Sequence, residues 1–521
     1  MILSAATSTY VPRSQGGRTY IISQPVLHLQ ETHIPCNWYD DVGKKLFADF
    51  SVGMYYNQSF KSSNIARCLF GSDTLVFSGS QVANRGARDI LADNFGLAPD
   101  FEGRVTFKPQ IRNFMVDLQY YLGLDDWCPG MFFRMELPLV HSQWAIKACS
   151  VQTSTSTNVL PALYMSENAT AAVPTIPLAL SGISTFGDMI TTWNFSKFNF
   201  CRQSITRVAD LTLMFGKNFL QSPTYHCGMY LNVVGPVGNN PDPEFFFSPI
   251  VGNGKFWELG VGLTAHVDCS HWCENTLAFY CEATMNTVLP HWQKRSFDFQ
   301  NHGLLSRFML LKQLAVDPET EELVYTGNLI NAINFATRNA RISAAIKVDA
   351  TVLFNYTHGD HWAWSTGYNF FGKSKEKVCV ACCSGPCDTI GNTYGIKGTE
   401  GGYTLVTTTT MALNSTQSAA TIFAGAPVDN PEAIIGGVTW TGAQAYSSNP
   451  PITVDCFQLN PRSGGMPTQI TSTLFSHVTH IWNHLDSKPY LTFGFEGEFA
   501  TSHQCCSLNQ WGFWLNGGLT F

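Results

Sequence analysis

The chain has 521 residues, with 31 basic against 38 acidic side chains and a net charge of −7. Only 13% of residues are charged, against about 25% in ordinary soluble proteins, and the mild negative balance excludes a dedicated nucleic-acid binder, which carries a basic excess. No run approaches roughly 18 uninterrupted apolar residues, which excludes a spanning helix, while 13% aromatics and 43 glycines favour an all-β chain.

In chain order, the stretch from Met1 to Pro12 lacks the basic and apolar regions of a secretory signal. This leaves a chain that is not exported or one already processed. Residues 1–47 precede the first strand and are expected to form a periplasmic segment or a plug inside a barrel. From there a period of two dominates. Ala48, Phe50, Val52, Met54 and Tyr56 alternate with Asp49, Ser51, Gly53 and Tyr55. The next stretch, 104–123, changes phase. Arg104, Lys108 and Arg112 stand at even positions and Asp117 and Gln119 at odd ones, so a bulge is predicted near Asn113, or else two strands. Arg134 and Glu136 fall on the polar face of a strand at 130–141, followed by strands at 205–216 and 224–234.

At 255–268, Trp257, Leu259, Val261, Leu263, Ala265 and Val267 alternate with Glu258, Gly260, Gly262, Thr264, His266 and Asp268. Glu282 takes the polar face of a strand at 276–289, and further strands are predicted at 303–314 and 324–337. The longest alternation runs over 340–356. Its apolar positions are Ile342, Ala344, Ile346, Val348, Ala350, Val352, Phe354 and Tyr356, and Arg341, Lys347 and Asp349 occupy the other face. Strands follow at 361–373, 469–482, 489–500 and 509–521. In the 489–500 strand Glu496 and Glu498 oppose Phe493, Phe495 and Phe499. A bilayer barrel requires this segregation, because a midplane Lys or Arg facing lipid costs about 2–4 kcal/mol. A soluble sandwich also alternates but needs only short strands.

The expectation is an all-β transmembrane antiparallel barrel over 48–521, with about 14 strands and 16 possible. Short periplasmic turns alternate with long outer loops near 57–103, 142–204 and 374–468, and an even count puts both termini in the periplasm. One tight outer connection, Arg338–Asn339, breaks that scheme. The predicted lumen-lining set is Arg104, Lys108, Arg112, Arg134, Glu136, Glu258, Asp268, Glu282, Arg341, Lys347, Asp349, Glu496 and Glu498. Mixed charge of this kind suits a hydrated channel or an interior sealed by ion pairs.

The 16 cysteines suggest an oxidising compartment. Cys379, Cys382, Cys383 and Cys387 have a spacing that zinc could use, but in an outer loop they are expected to form disulfides. Cys505 and Cys506 are further candidates, and Cys269 and Cys273 flank a short turn where they could pair or stay reduced. No catalytic constellation, cofactor motif or metal centre is expected. His266 and Asp268 share a face without a nucleophile, and Gly436–Gly442 lacks the strand–turn–helix setting of a phosphate loop.

The last strand carries the most specific signal. Trp511, Phe513, Leu515, Leu519 and the terminal Phe521 alternate with polar or small residues. This resembles the C-terminal signal of bacterial outer-membrane barrels, an amphipathic strand ending in Phe that the barrel-assembly machinery recognises. The chain is similar to porin-like barrels in pattern, to the long-chain fatty-acid transporters in strand count, and to chlamydial major outer-membrane proteins in its cysteines. The resemblance implies an outer-membrane porin passing small hydrophilic solutes, with outer-membrane lipid and the assembly machinery as partners and a homo-oligomer, such as a trimer, as its state. The alternatives are a cysteine-cross-linked surface-lattice protein and a plugged transporter of hydrophobic substrates.

Overall fold

A computed structural model describes residues 7–16, 18, 48–125, 127–162, 164–165, 169–222, 224–272, 274–319, 321–359, 361–381, 393–399, 403–406, 409–412, 415–427, 429, 450–482, 487–500 and 506–520. Twelve strands among these residues close into an antiparallel barrel. They are β1 (Ala48–Ser59), β2 (Glu102–Gly123), β3 (Met131–Gln152), β4 (Leu211–Ser222), β5 (Tyr225–Gly235) and β6 (Glu258–Trp272), then β7 (Asn275–Ser296), β8 (Thr337–His358), β9 (Trp362–Lys373), β10 (Gln469–Ile481), β11 (Lys488–Ala500) and β12 (Gln510–Thr520). Each pairs with its neighbours in chain order, and β12 closes on β1 from Asp49↔Thr520 to Ser59↔Gln510. Closure leaves no edge in the ring, so every backbone group there can be satisfied without water.

The count is twelve rather than fourteen because two expected wall strands lie elsewhere. Leu310–Val316 and Leu323–Asn331 pair with each other, and Thr393–Ile396 adds a third strand to that small sheet. The expected turn at Arg338–Asn339 lies inside β8, which a short helix, Ala332–Ala336, precedes. With that exception gone, long connections fall at one end of the barrel and short turns at the other.

The long connections form a cap over one mouth. Phe70 and Phe107 stack at 4.3 Å and Phe198 and Phe246 at 4.8 Å. Trp144, Phe308 and Leu311 are fully buried in the same cluster. A disulfide between Cys68 and Cys506 ties the helix Ser62–Phe70 to the segment just before β12.

The cap explains the phase change in β2. Its register with β3 runs unbroken from Gly103↔Gln152 to Gly123↔Phe132, so there is no bulge near Asn113 and no second strand. Even positions face outward throughout. Phe114 and Leu118 are exposed on that face, and Arg104 and Lys108 continue it nearer the cap. Odd positions face inward, where Asn113, Asp117 and Gln119 give way to Val105, Phe107 and Ile111. The residue types exchange faces because the surroundings do. Within the apolar belt the outside is lipid-like and the inside polar; beyond it the outside is wet and the inside is the cap's core. β3 changes at the same level, between Leu139 and His141 on its outer face.

β8 changes by a different device. Irregular pairing with β7 around Val288 turns Ile342 and Ala344 inward, while Ile346 remains outside.

Candidate functional site in the barrel lumen

The belt itself is continuous. Phe50, Met54, Phe215, Met229, Leu263, Phe354, Leu474, Phe493, Phe495 and Leu515 all lie exposed on the outer face. Trp362, Trp364 and Tyr225 crowd its short-turn end and Trp257 and Trp511 its cap end, like the paired aromatic girdles of membrane barrels. Trp511, Phe513, Leu515 and Leu519 of the last strand belong to this surface; Phe521 lies outside the described residues.

The sequence-derived lumen set divides in two. Arg134, Glu136, Glu258, Glu282, Asp349, Glu496 and Glu498 are buried in the interior, and Lys347 joins them through Glu258 at 2.8 Å. Asp268 is half-buried near the short-turn end of β6. Arg104, Lys108, Arg112 and Arg341 do not line the lumen; they point outward between the belt and the cap. Arg104, Lys108 and Arg112 were assigned to the lumen because a polar face was read as an inner one past the level where the surroundings invert, and Arg341 because the irregular pairing of β8 with β7 shifts its phase.

Two layers of polar contacts cross the interior. In one, Arg134 donates to Glu282 at 3.1 Å. The hydroxyl of Tyr230 also reaches Glu282, at 2.8 Å. Tyr121 and Phe132 lie 5.6 and 5.4 Å from the Arg134 guanidinium.

The other layer is built on the amino-terminal segment. The Thr7 N–H donates to the Cys68 carbonyl and the Ser8 N–H to the Ser463 carbonyl, at 3.0 and 2.8 Å, fixing this end in the cap. Tyr10 packs edge-on to Trp144 at 6.1 Å. Below it, Arg13 donates to Asn369 at 3.0 Å and pairs with Asp349. Ser14 donates to Asp210 at 2.7 Å, and the Gln15 side chain bridges the Ile250 carbonyl and the Gly252 N–H at 3.2 and 2.9 Å. Arg18 donates to Glu496 at 2.9 Å and to the Tyr55 hydroxyl at 3.1 Å. Glu498 lies 3.9 Å from Arg13 and 3.6 Å from Arg18, between the two. Beside Ser14 and Gly16 a cavity of about 30 Å³ remains, lined by Asp210, Asn232, Asn286 and Lys347, which is room for about two waters. Arg13 and Arg18 carried no signal in the sequence, since the segment has no periodicity and the two arginines lie hundreds of residues from their acidic partners.

At the cap end of the wall, Glu376 is held by Lys373 at 3.2 Å and Arg295 at 3.7 Å and accepts from the Met466 N–H at 2.9 Å. Burial pushes its carboxyl up, but the two cations and that N–H outweigh burial and hold it below the ordinary value.

Of the cysteine candidates, Cys506 is bonded to Cys68, a partner that spacing did not suggest, while Cys269 and Cys379 are free and exposed. Cys273, Cys382, Cys383, Cys387 and Cys505 lie outside the described residues, as does Gly436–Gly442.

No family model matches the sequence, and no curated protein matches it. Among solved structures, the chain is similar to an outer-membrane channel from Pseudomonas putida F1, with 10% identity, 92% of this chain and 96% of that chain covered, and a TM-score of 0.34. It is similar to the Pseudomonas putida toluene transporter TodX at 8% identity, with 99% and 96% covered and a TM-score of 0.30. A Pseudomonas aeruginosa FadL homologue gives 7% identity, 92% and 90% coverage and a TM-score of 0.27. Likeness this slight says nothing of what crosses the barrel, which has to be argued from its own residues.

Proposed function

We propose that the chain is a bacterial outer-membrane channel, shut in the form described by its own residues 7–16 and 18, and that it conducts when this segment withdraws. The observation that carries the proposal is the pair of arginines, Arg13 and Arg18, placed against Asp349, Glu496 and Glu498 of the wall. Buried ion pairs contribute little net stability compared with apolar packing. They do hold a removable segment in one position, and that is what a closed gate needs. The polar wall supports transport, as the sequence suggested. The capped mouth and occupied interior favour a plugged transporter over a permanently open diffusion pore.

The outer-membrane location rests on the apolar belt, the aromatic girdles and the exposed apolar face of the last strand. The outward basic residues above the belt suit a leaflet rich in phosphate.

The test is planar-bilayer recording of the full chain beside an Arg13→Gln/Arg18→Gln variant, with and without reductant. Rare, brief openings in the full chain and sustained steps in the variant are expected. Equal steady conductance in both would sink the gate, and lasting silence in a variant shown to be folded would do the same.

A further inference from the structure

We infer that the solutes admitted by this lumen are small organic cations, and that the two arginines of the amino-terminal segment occupy the seats such solutes would take. The inference rests on the gate proposed above and adds the chemical class of what passes it.

Each guanidinium sits in a built pocket rather than against a single acid. The Arg13 group has Asp349 and Glu498 as ion partners, the Asn369 side-chain oxygen as acceptor, and the Phe371 ring 4.7 Å from its central carbon. The Arg18 group has Glu496 and Glu498, the Tyr55 hydroxyl, and the Tyr55 ring at 5.3 Å. Carboxylate oxygens around the edge of a planar cation with an aromatic ring near it are the means by which proteins bind guanidinium and ammonium groups.

All three carboxylates belong to the wall, on β8 and β11, and stay when the segment leaves. Asp349, Glu496 and Glu498 are each buried with the segment in place, so its withdrawal would uncover three carboxylates together on the wall of a narrow passage. Such a site draws counter-ions strongly. The remaining interior charge does not reverse this, because Arg134 and Lys347 are engaged with Glu282 and Glu258. A solute bearing a guanidinium or ammonium group restores the pairing that the arginines provided. An anion would meet repulsion at both seats. The segment thus acts as a tethered competitor for its own channel's cargo.

The experiment records reversal potentials across a potassium chloride gradient, using full-length protein whose folding is verified by heat-modifiable gel mobility. In the Arg13→Gln/Arg18→Gln variant, cations should be preferred over chloride by roughly tenfold, the low end of what a focused field provides. Adding Glu496→Gln and Glu498→Gln should bring the ratio close to one. In the unmodified chain, millimolar guanidinium chloride should raise the frequency of opening, and equal sodium chloride should not. Conducting channels without cation preference, or no response to guanidinium, would overturn the inference while leaving the gate intact. A folded, silent arginine variant would overturn both. Should the quadruple variant fail to fold, Glu498→Gln in the arginine variant decides the matter alone, since Glu498 serves both seats.

Discussion

Arg134 of β3 and Glu282 of β7 meet at 3.1 Å although three strands separate them around the wall. The pair therefore spans the interior, and the barrel is cross-braced as well as hydrogen-bonded around its ring. Removing one partner leaves an uncompensated charge in a buried place, which costs about 3 kcal/mol or more. Arg134→Gln and Glu282→Gln should each lower the midpoint of urea unfolding in detergent. The double variant Arg134→Met/Glu282→Met should lose less than the sum of the two. Strict additivity would show that the groups do not interact.

At Gly16 the backbone of the amino-terminal segment runs tight against the wall: a Cβ there would lie 2.7 Å from Pro138 Cγ. Gly16→Val should therefore unseat the segment without touching either arginine. Faster hydrogen exchange over residues 7–16 and easier proteolysis near Arg13 are expected. Exchange unchanged from the parent would mean that Pro138 yields instead.

The Cys68–Cys506 bond closes a sequence separation of 438 residues and lies beside the Thr7 contact with the Cys68 carbonyl. Losing a native disulfide costs about 2–5 kcal/mol in small secreted domains, and a similar order is expected for the cap here. Cys68→Ser or added reductant should lower the thermal transition and raise protease access to residues 60–101. The barrel's slow gel mobility on heating should change less, because its ring does not depend on the bond.

The Glu376 cluster gives the cap an acid sensitivity whose sign follows from its partners. Its folded pKa lies below the ordinary value because Lys373, Arg295 and the Met466 N–H outweigh burial. Its stabilising effect is therefore fully present above the ordinary glutamate pKa, about 4.3, and is lost as the pH falls through the folded value. Unfolding midpoints measured downward from pH 5 should fall more steeply for the parent than for Glu376→Gln. Parallel curves would assign the acid sensitivity to other carboxylates.

Much of the wall was legible in the sequence. Leu259, Val261 and Leu263 against Glu258 and Gly262, or Phe493 and Phe495 against Glu496, state which side chains share a face, because a strand's period is two whatever surrounds it. The amphipathic closing strand follows from the same rule. Alternation does not state what each face meets. Arg104 and Asp117 stand on opposite faces of one unbroken strand, and only its height relative to the belt tells which polar group is outside and which inside. Leu310–Val316 has the composition of a wall strand, yet it pairs within the cap, a choice made by neighbours far away in the chain. Arg13 and Arg18 are the extreme case. Nothing local distinguishes them from solvated surface residues, and their partners Asp349 and Glu498 become partners only when the ring closes around them. The sequence by itself determined which side chains share a face wherever a strand runs unbroken, since that is a property of backbone geometry. The tertiary structure decided the interior, since charges separated by hundreds of residues meet only through closure.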